Sequence, residues 1–180
     1  MDAHPYPGNP PGGSTQDEVL AVSLAKLALT GRETVVEIGS GSGKVTSALA
    51  RAALLVQSVD RNPMAFTAAR VRTIAEGLTN IEFFQGEATD FLTDHGPFDA
   101  AFVGGSRDLA TVLGLLEQKV NGPIVVHAVL LSTMETAVRT MTDLGIFKEA
   151  VQVQISRAHP LAGSIMFRPS DPVTIIVGET

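Results

Sequence analysis

Three glycines at alternate positions are the residues of this chain with the plainest chemical use. Gly39, Gly41 and Gly43 follow a run of β-branched residues in the stretch VVEIGSGSGKVT. Glycine has no Cβ, so a ligand can approach its backbone closely. A glycine-rich turn after a strand binds nucleotide-like cofactors in several classes of protein, and the spacing of its glycines distinguishes these classes.

Two of these cofactor classes fit the spacing poorly. The phosphate-binding loop of nucleoside triphosphatases requires G-x-x-x-x-G-K-[ST], but Ile38 stands in place of its first glycine and Val45 in place of its metal-binding hydroxyl. The dinucleotide fingerprint requires G-x-G-x-x-G, and Lys44 stands where its last glycine belongs. The triphosphatase interpretation therefore fails, whereas the dinucleotide interpretation is weakened and stays open.

S-adenosylmethionine is the third ligand class, because its amino-acid end can lie against glycine backbone and it carries no phosphate. Such a ligand also needs an acid to accept hydrogen bonds from its ribose hydroxyls, and Asp60 follows the second β-branched run. NAD-binding proteins place an acid at the same point, so Asp60 alone does not discriminate. Glu37 before the glycines and Glu87 after the third run are further candidates for the cofactor pocket.

The elements that must position these residues follow an alternating pattern. From Thr34 onward, short β-branched runs alternate with segments of helical periodicity, which predicts an α/β fold with a mainly parallel sheet. Only a short turn is expected after the third run. Between the last two runs, the segment SRAHPLAGSIMFRPSDP is loop-like, which predicts an antiparallel C-terminal strand. The predicted strands are TVVEI, LLVQSV, IEFFQ, FDAAFV, PIVVHAVLL, FKEAVQVQI and VTIIVG.

Local signals predict where the helices begin and end. The segments 15–18 (TQDE) and 132–135 (STME) match the capping box. Asn62–Pro63 is typical of an N-cap and first helical residue, and Gly77 and Gly145 stand where helix C-termini favour glycine. One apolar stripe at helical spacing predicts core packing of the helix that follows the fourth strand: Leu109, Val112, Leu113, Leu116 and Val120.

Composition limits the classes of function. A chain of 180 residues with 44% hydrophobic content fits one domain, predicted over 15–180, with the Pro- and Gly-rich residues 1–14 as a flexible arm. There is no cysteine and the four histidines lie far apart, so no metal site is expected.

Charge and hydropathy bear on partners and location. A net charge of −6 without a stripe of Lys and Arg argues against a nucleic-acid partner. No apolar run reaches the roughly 20 residues of a membrane helix, and the N-terminus lacks a signal-peptide pattern. We therefore expect a cytoplasmic protein that does not bind membranes.

The chain as a whole resembles class I S-adenosylmethionine-dependent methyltransferases, since VVEIGSGSG is similar to their first motif and VDRNP to their second. A narrower resemblance covers roughly residue 12 to the end. The segments GGSTQDEVLAVSLAKLAL, FDAAFVGGSRDLATVLGLL, VVHAVLLSTMETAVRTMTDLG and ISRAHPLAGSIMFRPSDPVTIIVG resemble the precorrin C15-methyltransferase (decarboxylating) family of cobalamin biosynthesis. Its members are stand-alone enzymes or the C-terminal half of precorrin-6Y C5,15-methyltransferases.

This resemblance implies methylation of C15 of a precorrin with loss of the C12 acetate as carbon dioxide, catalysed by a homotetramer. It implies that Gly104, Gly105 and Ser106 lie beside the transferable methyl group; the alternative is a tight turn in which Ser106 caps the next helix. The motifs and the resemblance together predict these residues for binding S-adenosylmethionine: Thr15, Glu37, Gly39, Ser40, Gly41, Ser42, Gly43, Asp60, Arg61, Glu87 and Ala88.

The implied substrate is an anionic tetrapyrrole with several acetate and propionate groups. An acidic protein must bind it through locally focused positive charge, and guanidinium groups match carboxylates well. The candidates are Arg107, Arg157, His159 and Arg168, each with solvated surface charge as the alternative.

Two positions depart from the family pattern. Many members have a glutamate where Ser132 stands and a small polar residue where His127 stands. The local alternatives are a helix cap for Ser132 and a hydrogen-bonded histidine at a strand end for His127.

Two other functions stay open. A class I methyltransferase could act on another small molecule, a protein or RNA, although the late segments of the resemblance are on the substrate side. A non-enzymatic or NAD-binding Rossmann-like module would instead prefer the nicotinamide cofactor to S-adenosylhomocysteine.

Overall fold

The computed structural model describes residues 15–180, so the predicted arm 1–14 lies outside the described residues. A seven-stranded sheet carries helices on both faces, and a two-stranded hairpin stands apart from it. The elements are α1 (Asp17–Leu27), β1 (Thr34–Ile38), α2 (Lys44–Ala52), β2 (Leu55–Asp60), α3 (Pro63–Ala75), β3 (Ile81–Gln85), α4 (Ala88–Asp94), β4 (Ala100–Val103), α5 (Leu109–Lys119), β5 (Pro123–Ala128), α6 (Leu131–Asp143), β6 (Phe147–Val153), β7 (Ser156–Leu161), β8 (Ser164–Pro169) and β9 (Val173–Glu179).

The sheet has the strand order β3-β2-β1-β4-β5-β9-β6. Strands β1 to β5 are parallel, and β9 runs antiparallel to both of its neighbours, β5 and β6. The predicted α/β fold with a mainly parallel sheet and an antiparallel C-terminal strand is therefore confirmed. The strand order reverses between β1 and β4, and such a switch point opens a crevice at the carboxyl ends of the strands.

Successive side chains of the central strands enter two different cores. Val36 and Ile124 belong to the core under α4, α5 and α6, whereas Val35 and Val125 belong to the core under α1 and α2. This alternation follows from the two-residue period of a strand and leaves both faces of the sheet covered. No helix among residues 15–180 is long and apolar enough to cross a membrane.

The helix signals in the middle of the chain are confirmed. The Asn62 side chain accepts a hydrogen bond of 2.9 Å from the Met64 amide, and Pro63 is the first residue of α3. Gly77 and Gly145 follow α3 and α6 with φ of 71° and 76°, a backbone conformation that favours glycine. The predicted stripe of α5 is buried as expected.

Both capping-box predictions are wrong. Gln16 is the N-cap of α1 and Leu130 that of α6, and neither helix has a side-chain cap hydrogen bond. At α1, the Glu18 carboxylate that the capping box requires instead forms an ion pair with Arg157 at 2.8 Å. Ser106 does not cap α5 either, since Asp108 occupies that position with φ of 48°.

Two segments predicted as irregular form regular structure. Helix α4 replaces the expected short turn after β3 and buries Phe91 and Leu92. The loop-like segment before β9 is the hairpin β7–β8. Its two-residue tip, Ala162–Gly163, has φ of 48° and 76°, and two positive φ angles are typical of the type I′ turn that matches strand twist.

The fifth strand is shorter than the sequence predicts. The run PIVVHAVLL leaves the sheet after Ala128, whose partner on β9 is Thr174. One residue further back, β9 begins at Val173, preceded by Pro172, which has no amide hydrogen to donate. Val129, Leu130 and Leu131 follow the last paired residue of β5 and lie exposed at the carboxyl edge.

Candidate active site

A cavity of about 640 Å³ opens at the carboxyl edge of the sheet, where the strand order reverses. Its size is that of a small-molecule site, and its walls come from the segments that follow β1, β2, β3 and β4. The predicted residues that line it are Gly39, Gly41, Ser42, Asp60, Arg61, Glu87, Ala88, Gly104, Gly105, Ser106 and Arg107.

The three glycines of the loop after β1 are needed for three different reasons. A Cβ on Gly39 would lie 3.0 Å from the Gly105 nitrogen, so this glycine lets the β1 and β4 turns touch. A Cβ on Gly43 would lie 2.6 Å from the Ala69 Cα, so α2 packs directly against α3. Gly41 has φ of 52° and open space around it, and it leaves bare backbone facing the cavity.

The Asp60 carboxylate organises this loop. Its Oδ2 accepts hydrogen bonds from the Gly41 amide at 3.1 Å and the Ser40 hydroxyl at 3.3 Å, and its Oδ1 accepts one from the Asn62 amide at 2.9 Å. A carboxylate has about four acceptor positions. Capacity therefore remains for a hydroxyl donor in the cavity, which Asp60 lines.

Glu37 does not line the cavity but lies fully buried behind the glycine loop. Its Oε2 accepts hydrogen bonds of 2.6 Å from both Thr46 and Ser58, while its Oε1 has no hydrogen-bond partner among the described residues. Burial raises the pKa of Glu37 to about 7. The hydrogen bonds from Ser58 and Thr46 oppose this shift, and the negative charge of Asp60 adds to it. The carboxyl group is therefore partly protonated at neutral pH.

Thr15, Ser40 and Gly43 also lie outside the cavity lining. The Thr15 carbonyl accepts a hydrogen bond of 2.5 Å from Nζ of Lys44, the first residue of α2, and the same Nζ lies 2.7 Å from the Asp17 carboxylate. The start of α1 is thereby tied to the end of the glycine loop.

The same segment also reaches the hairpin. The Gln16 side chain accepts a hydrogen bond of 3.2 Å from Ser170, just after β8, and Glu18 accepts one of 2.8 Å from Arg157 on β7. We name residues 15–18 the clasp, because this segment joins the glycine loop on one side to the base of the hairpin on the other.

Sequence reasoning missed an apolar wall of the cavity. Met64, Ala65 and Ala68 of α3 and Val112 of α5 line it, together with Ile38 and Val59 at the strand ends. The α3 residues could have been predicted from their position in the sequence. Helix α3 starts three residues after Asp60, so its first turns lie at the same edge of the sheet. Asn62, Thr89 and Asp108 also line the cavity and were not predicted. Gly86, in the segment after the third strand that was expected to line the pocket, does so.

The predicted cationic residues divide into two groups. Arg107 lines the cavity beside Glu87 and Asp108, at 3.9 and 3.4 Å. Arg157 and Arg168 are directly opposed on the hairpin, and two residues along β7 His159 is opposed to Met166. Side chains alternate along a strand, so the three hairpin cations share one face. Because Arg157 pairs with the clasp, this cationic face is turned toward the body of the domain.

The other face of the hairpin is apolar. Ile165 and Phe167 point the opposite way from the cations, opposed by Pro160 and Ala158, and their side chains are 68% and 69% exposed. The hairpin is therefore amphipathic, because alternate side chains place the cations on one face and the apolar residues on the other.

His127 serves a structural contact. Its Nε2 lies 2.5 Å from the Ser23 hydroxyl, and its ring packs edge-to-face on Phe102. Because Ser23 donates its own proton to the Val19 carbonyl, the imidazole is the donor in this pair. Burial lowers the pKa of His127 to about 4, so it is neutral and holds α1 against β5. No cluster of metal-ligating side chains occurs within residues 15–180.

The strand order, the glycine turn after β1 and the acid at the end of β2 define the fold of class I S-adenosylmethionine-dependent methyltransferases. Within that class, the chain belongs to the precorrin methyltransferase domain family, which matches residues 10–179.

Individual relatives match the chain over nearly their full length. It is 37% identical over 173 residues to probable cobalt-precorrin-6B C(15)-methyltransferase (decarboxylating) of Methanosarcina acetivorans, covering 93% of this chain and 94% of that protein. The structure of precorrin 8W decarboxylase of Methanobacterium thermoautotrophicum has a TM-score of 0.89 and 30% identity over 92% and 91% of the two chains. Precorrin-6Y C5,15-methyltransferase of Geobacter metallireducens has a TM-score of 0.88 and 27% identity over 96% and 94%.

Proposed function

We propose that this protein transfers a methyl group from S-adenosylmethionine to C15 of a precorrin and releases the C12 acetate as carbon dioxide. The observation that carries this proposal is the extent of the family match, which runs through the hairpin as well as the cofactor motifs. Cofactor motifs alone occur with many substrates. A match that includes the hairpin supports the substrate as well as the reaction type.

The cavity suits S-adenosylmethionine. Backbone at Gly41 and Gly86 faces open space where a Cβ would meet nothing within 4 Å, so the ligand can lie against it. Asp60 accepts hydrogen bonds from the ribose hydroxyls, and the wall formed by Met64, Ala65 and Ala68 packs on the adenine ring. When bound, the cofactor supplies a methyl group on a positively charged sulfur.

The other predicted cofactor residues act at different distances from the ligand. Ser42, Arg61, Glu87 and Ala88 line the cavity and contact the cofactor. Ser40, Gly43, Glu37 and Thr15 lie behind that surface and hold the loop in place.

The Gly104-Gly105-Ser106 turn borders the space where the reacting carbon must lie. The amides of Gly104 and Gly105 both donate to the Ile38 carbonyl, at 2.9 and 3.1 Å, which fixes the turn against the end of β1. A Cβ on Gly105 would have only one neighbour, 3.8 Å away, so this turn leaves room for a substrate. The protein acts by holding the C15 carbon in line with the methyl group, and such positioning needs no general base.

Decarboxylation also relies on positioning. The electron pair of the bond between the acetate methylene and its carboxylate passes into the conjugated macrocycle as carbon dioxide leaves. Arg107 at the cavity and the cationic hairpin face, with Arg157, His159 and Arg168, bind the carboxylates of the ring. These groups focus positive charge on a chain whose net charge is −6.

The protein works in the cytoplasm as a homo-oligomer, most simply a tetramer. The exposed apolar face of the hairpin supports self-association, because a large apolar patch on a soluble protein is typical of an interface. The negative net charge and the anionic substrate are consistent with a protein that does not bind nucleic acid.

Titration calorimetry with S-adenosylhomocysteine tests the cofactor assignment. The wild-type protein should bind it, and Asp60→Ala should weaken binding by about tenfold or more, because a charge-assisted hydrogen bond to the ribose is lost. Asp143→Ala is the matched control, since this aspartate is exposed at the far end of α6. NAD should produce no heat.

Mass spectrometry of the product then tests the reaction. With a precorrin substrate and S-adenosylmethionine, the product should gain one methyl group and lose one carbon dioxide. Binding of NAD in preference to S-adenosylhomocysteine would favour a dinucleotide-binding module, and methylation of RNA or protein instead of the precorrin would refute the substrate assignment.

A further inference from the structure

Three consecutive apolar residues lie uncovered at the end of β5. Val129, Leu130 and Leu131 have exposed fractions of 63%, 64% and 74%. Isolated apolar residues are common on protein surfaces, but a contiguous exposed run indicates a contact with another molecule. We name these three residues the ledge.

The ledge adjoins the mouth of the cavity. Strands β4 and β5 are parallel neighbours in which Val103 pairs with Val126. Strand β4 continues into the Gly104–Ser106 turn that lines the cavity, and β5 continues into the ledge. Both segments therefore leave the same edge of the sheet about 4.8 Å apart, with the ledge on the side away from Asp60.

The cationic hairpin face rises from the same edge further along. Strands β5 and β6 are both antiparallel to β9, so β6 runs parallel to β5 and also ends at the carboxyl edge. The hairpin starts three residues after β6. The order along this edge is therefore cavity, ledge and hairpin.

Folding does not account for the ledge. Leu130 stands at the N-cap of α6, a position that favours Ser, Thr, Asp or Asn, and it provides no cap hydrogen bond. The chain thus places an exposed leucine where a polar residue would stabilise the helix. A role in binding explains this choice.

We propose that the ledge binds the apolar surface of the tetrapyrrole ring while the cationic hairpin face binds its carboxylates. This inference rests on the proposed function and names a further substrate-contacting surface. An anionic macrocycle combines a flat apolar centre with charges at its rim, and the cavity edge offers an apolar strip flanked by cations. A second copy of the chain is the alternative occupant, but the apolar hairpin face with Ile165 and Phe167 is the surface proposed above for that contact.

The test uses Leu130→Ser and uroporphyrin, a stable tetrapyrrole with acetate and propionate side chains, titrated by fluorescence in the presence of saturating S-adenosylhomocysteine. The variant should bind uroporphyrin about tenfold more weakly, because most of the leucine contact is lost. Its affinity for S-adenosylhomocysteine should not change, and its Tm should be equal or higher because serine can cap α6. Leu54→Ser, which changes another leucine, 62% exposed and just before β2, is the matched control.

Each result separates the ledge from the proposed function. Equal uroporphyrin affinity in Leu130→Ser and wild type would overturn the ledge assignment, as would absence of uroporphyrin binding by a wild-type protein that binds S-adenosylhomocysteine. Unchanged uroporphyrin affinity with a smaller oligomer by sedimentation would assign the ledge to a subunit contact instead. Failure of the wild type to bind S-adenosylhomocysteine would refute the proposed function itself.

Discussion

At the scale of single residues, two buried titratable groups make the free energy of unfolding depend on pH in opposite directions. Glu37 has its pKa raised to about 7 by burial, and His127 has its pKa lowered to about 4 by burial. Folded protein therefore binds more protons at Glu37 and fewer at His127 than unfolded chain does. The Glu37 contribution is lost as pH rises through about 7, and the His127 contribution is lost as pH falls through about 4.

The Glu37 contribution can be isolated with Glu37→Gln. Between the unfolded value of 4.5 and the folded value of about 7, ionisation of Glu37 removes on the order of 3 kcal/mol of stability. Glutamine stays neutral, so the free energy of unfolding of the variant relative to wild type should rise by a few kcal/mol from about pH 5 to about pH 8. Urea unfolding at both pH values measures this difference.

Glu135→Gln serves as the control for this prediction, because Glu135 is exposed on α6 and the same change of charge occurs there in solvent. Its stability relative to wild type should be the same at both pH values. A Glu37→Gln variant that behaves in the same way would show that Glu37 ionises normally in the folded protein.

At the scale of elements, the clasp joins parts of the chain that are far apart in sequence. Lys44 holds the start of α1 through Thr15 and Asp17, and Arg157 holds it to the hairpin through Glu18. The Arg157–Glu18 pair is about half exposed, so solvent screens it and it contributes little to stability. Lys44 is only 21% exposed and contacts two groups of the clasp, which makes its link to the clasp the stronger of the two.

Lys44→Met should loosen the glycine loop. The variant keeps the apolar stem but loses both contacts of the ammonium group, so we expect binding of S-adenosylhomocysteine to weaken by about threefold to tenfold. Lys44→Arg should retain part of the affinity because it can still reach the Asp17 carboxylate. Calorimetry of the two variants measures the effect.

The control for the clasp is Lys148→Met, which removes an exposed lysine that pairs with Glu179 at the amino edge of the sheet. It should leave cofactor affinity unchanged. If Lys44→Met binds as tightly as this control, the glycine loop does not depend on the clasp.

At the scale of the whole molecule, the amphipathic hairpin has two proposed partners. Its cationic face is turned to the domain and its apolar face is turned away from it. Sedimentation velocity tests the apolar face: Phe167→Ser should shift the protein to a smaller species, because it removes an aromatic residue from the centre of the proposed subunit contact. Binding of S-adenosylhomocysteine should persist, since the cavity lies in the core domain.

Val71→Ser is the matched control for this change, because Val71 is 63% exposed on α3 and lies away from the hairpin. It should sediment like the wild type. A Phe167→Ser variant that also sediments like the wild type would exclude the hairpin face as the contact between subunits.

Features that depend on neighbouring residues could be predicted from the sequence. Runs of β-branched residues predicted the strands, the Asn62–Pro63 pair predicted the start of α3, and the glycine turn with Asp60 predicted one end of the cavity. These signals are local, because hydrophobic period, helix caps and positive φ angles act within a few residues. The fold class and the cavity could therefore be predicted before any contact was known.

Features that depend on distant partners could not be predicted in this way and required the three-dimensional structure. The hairpin forms because β7 and β8 pair with each other, and β5 ends at Ala128, where its pairing with Thr174 of β9 stops. Burial of Glu37 and the contact of Lys44 with Thr15 likewise join residues from different elements. Pairing and desolvation are properties of what surrounds a residue in space, and a single sequence does not state which surroundings each residue will have.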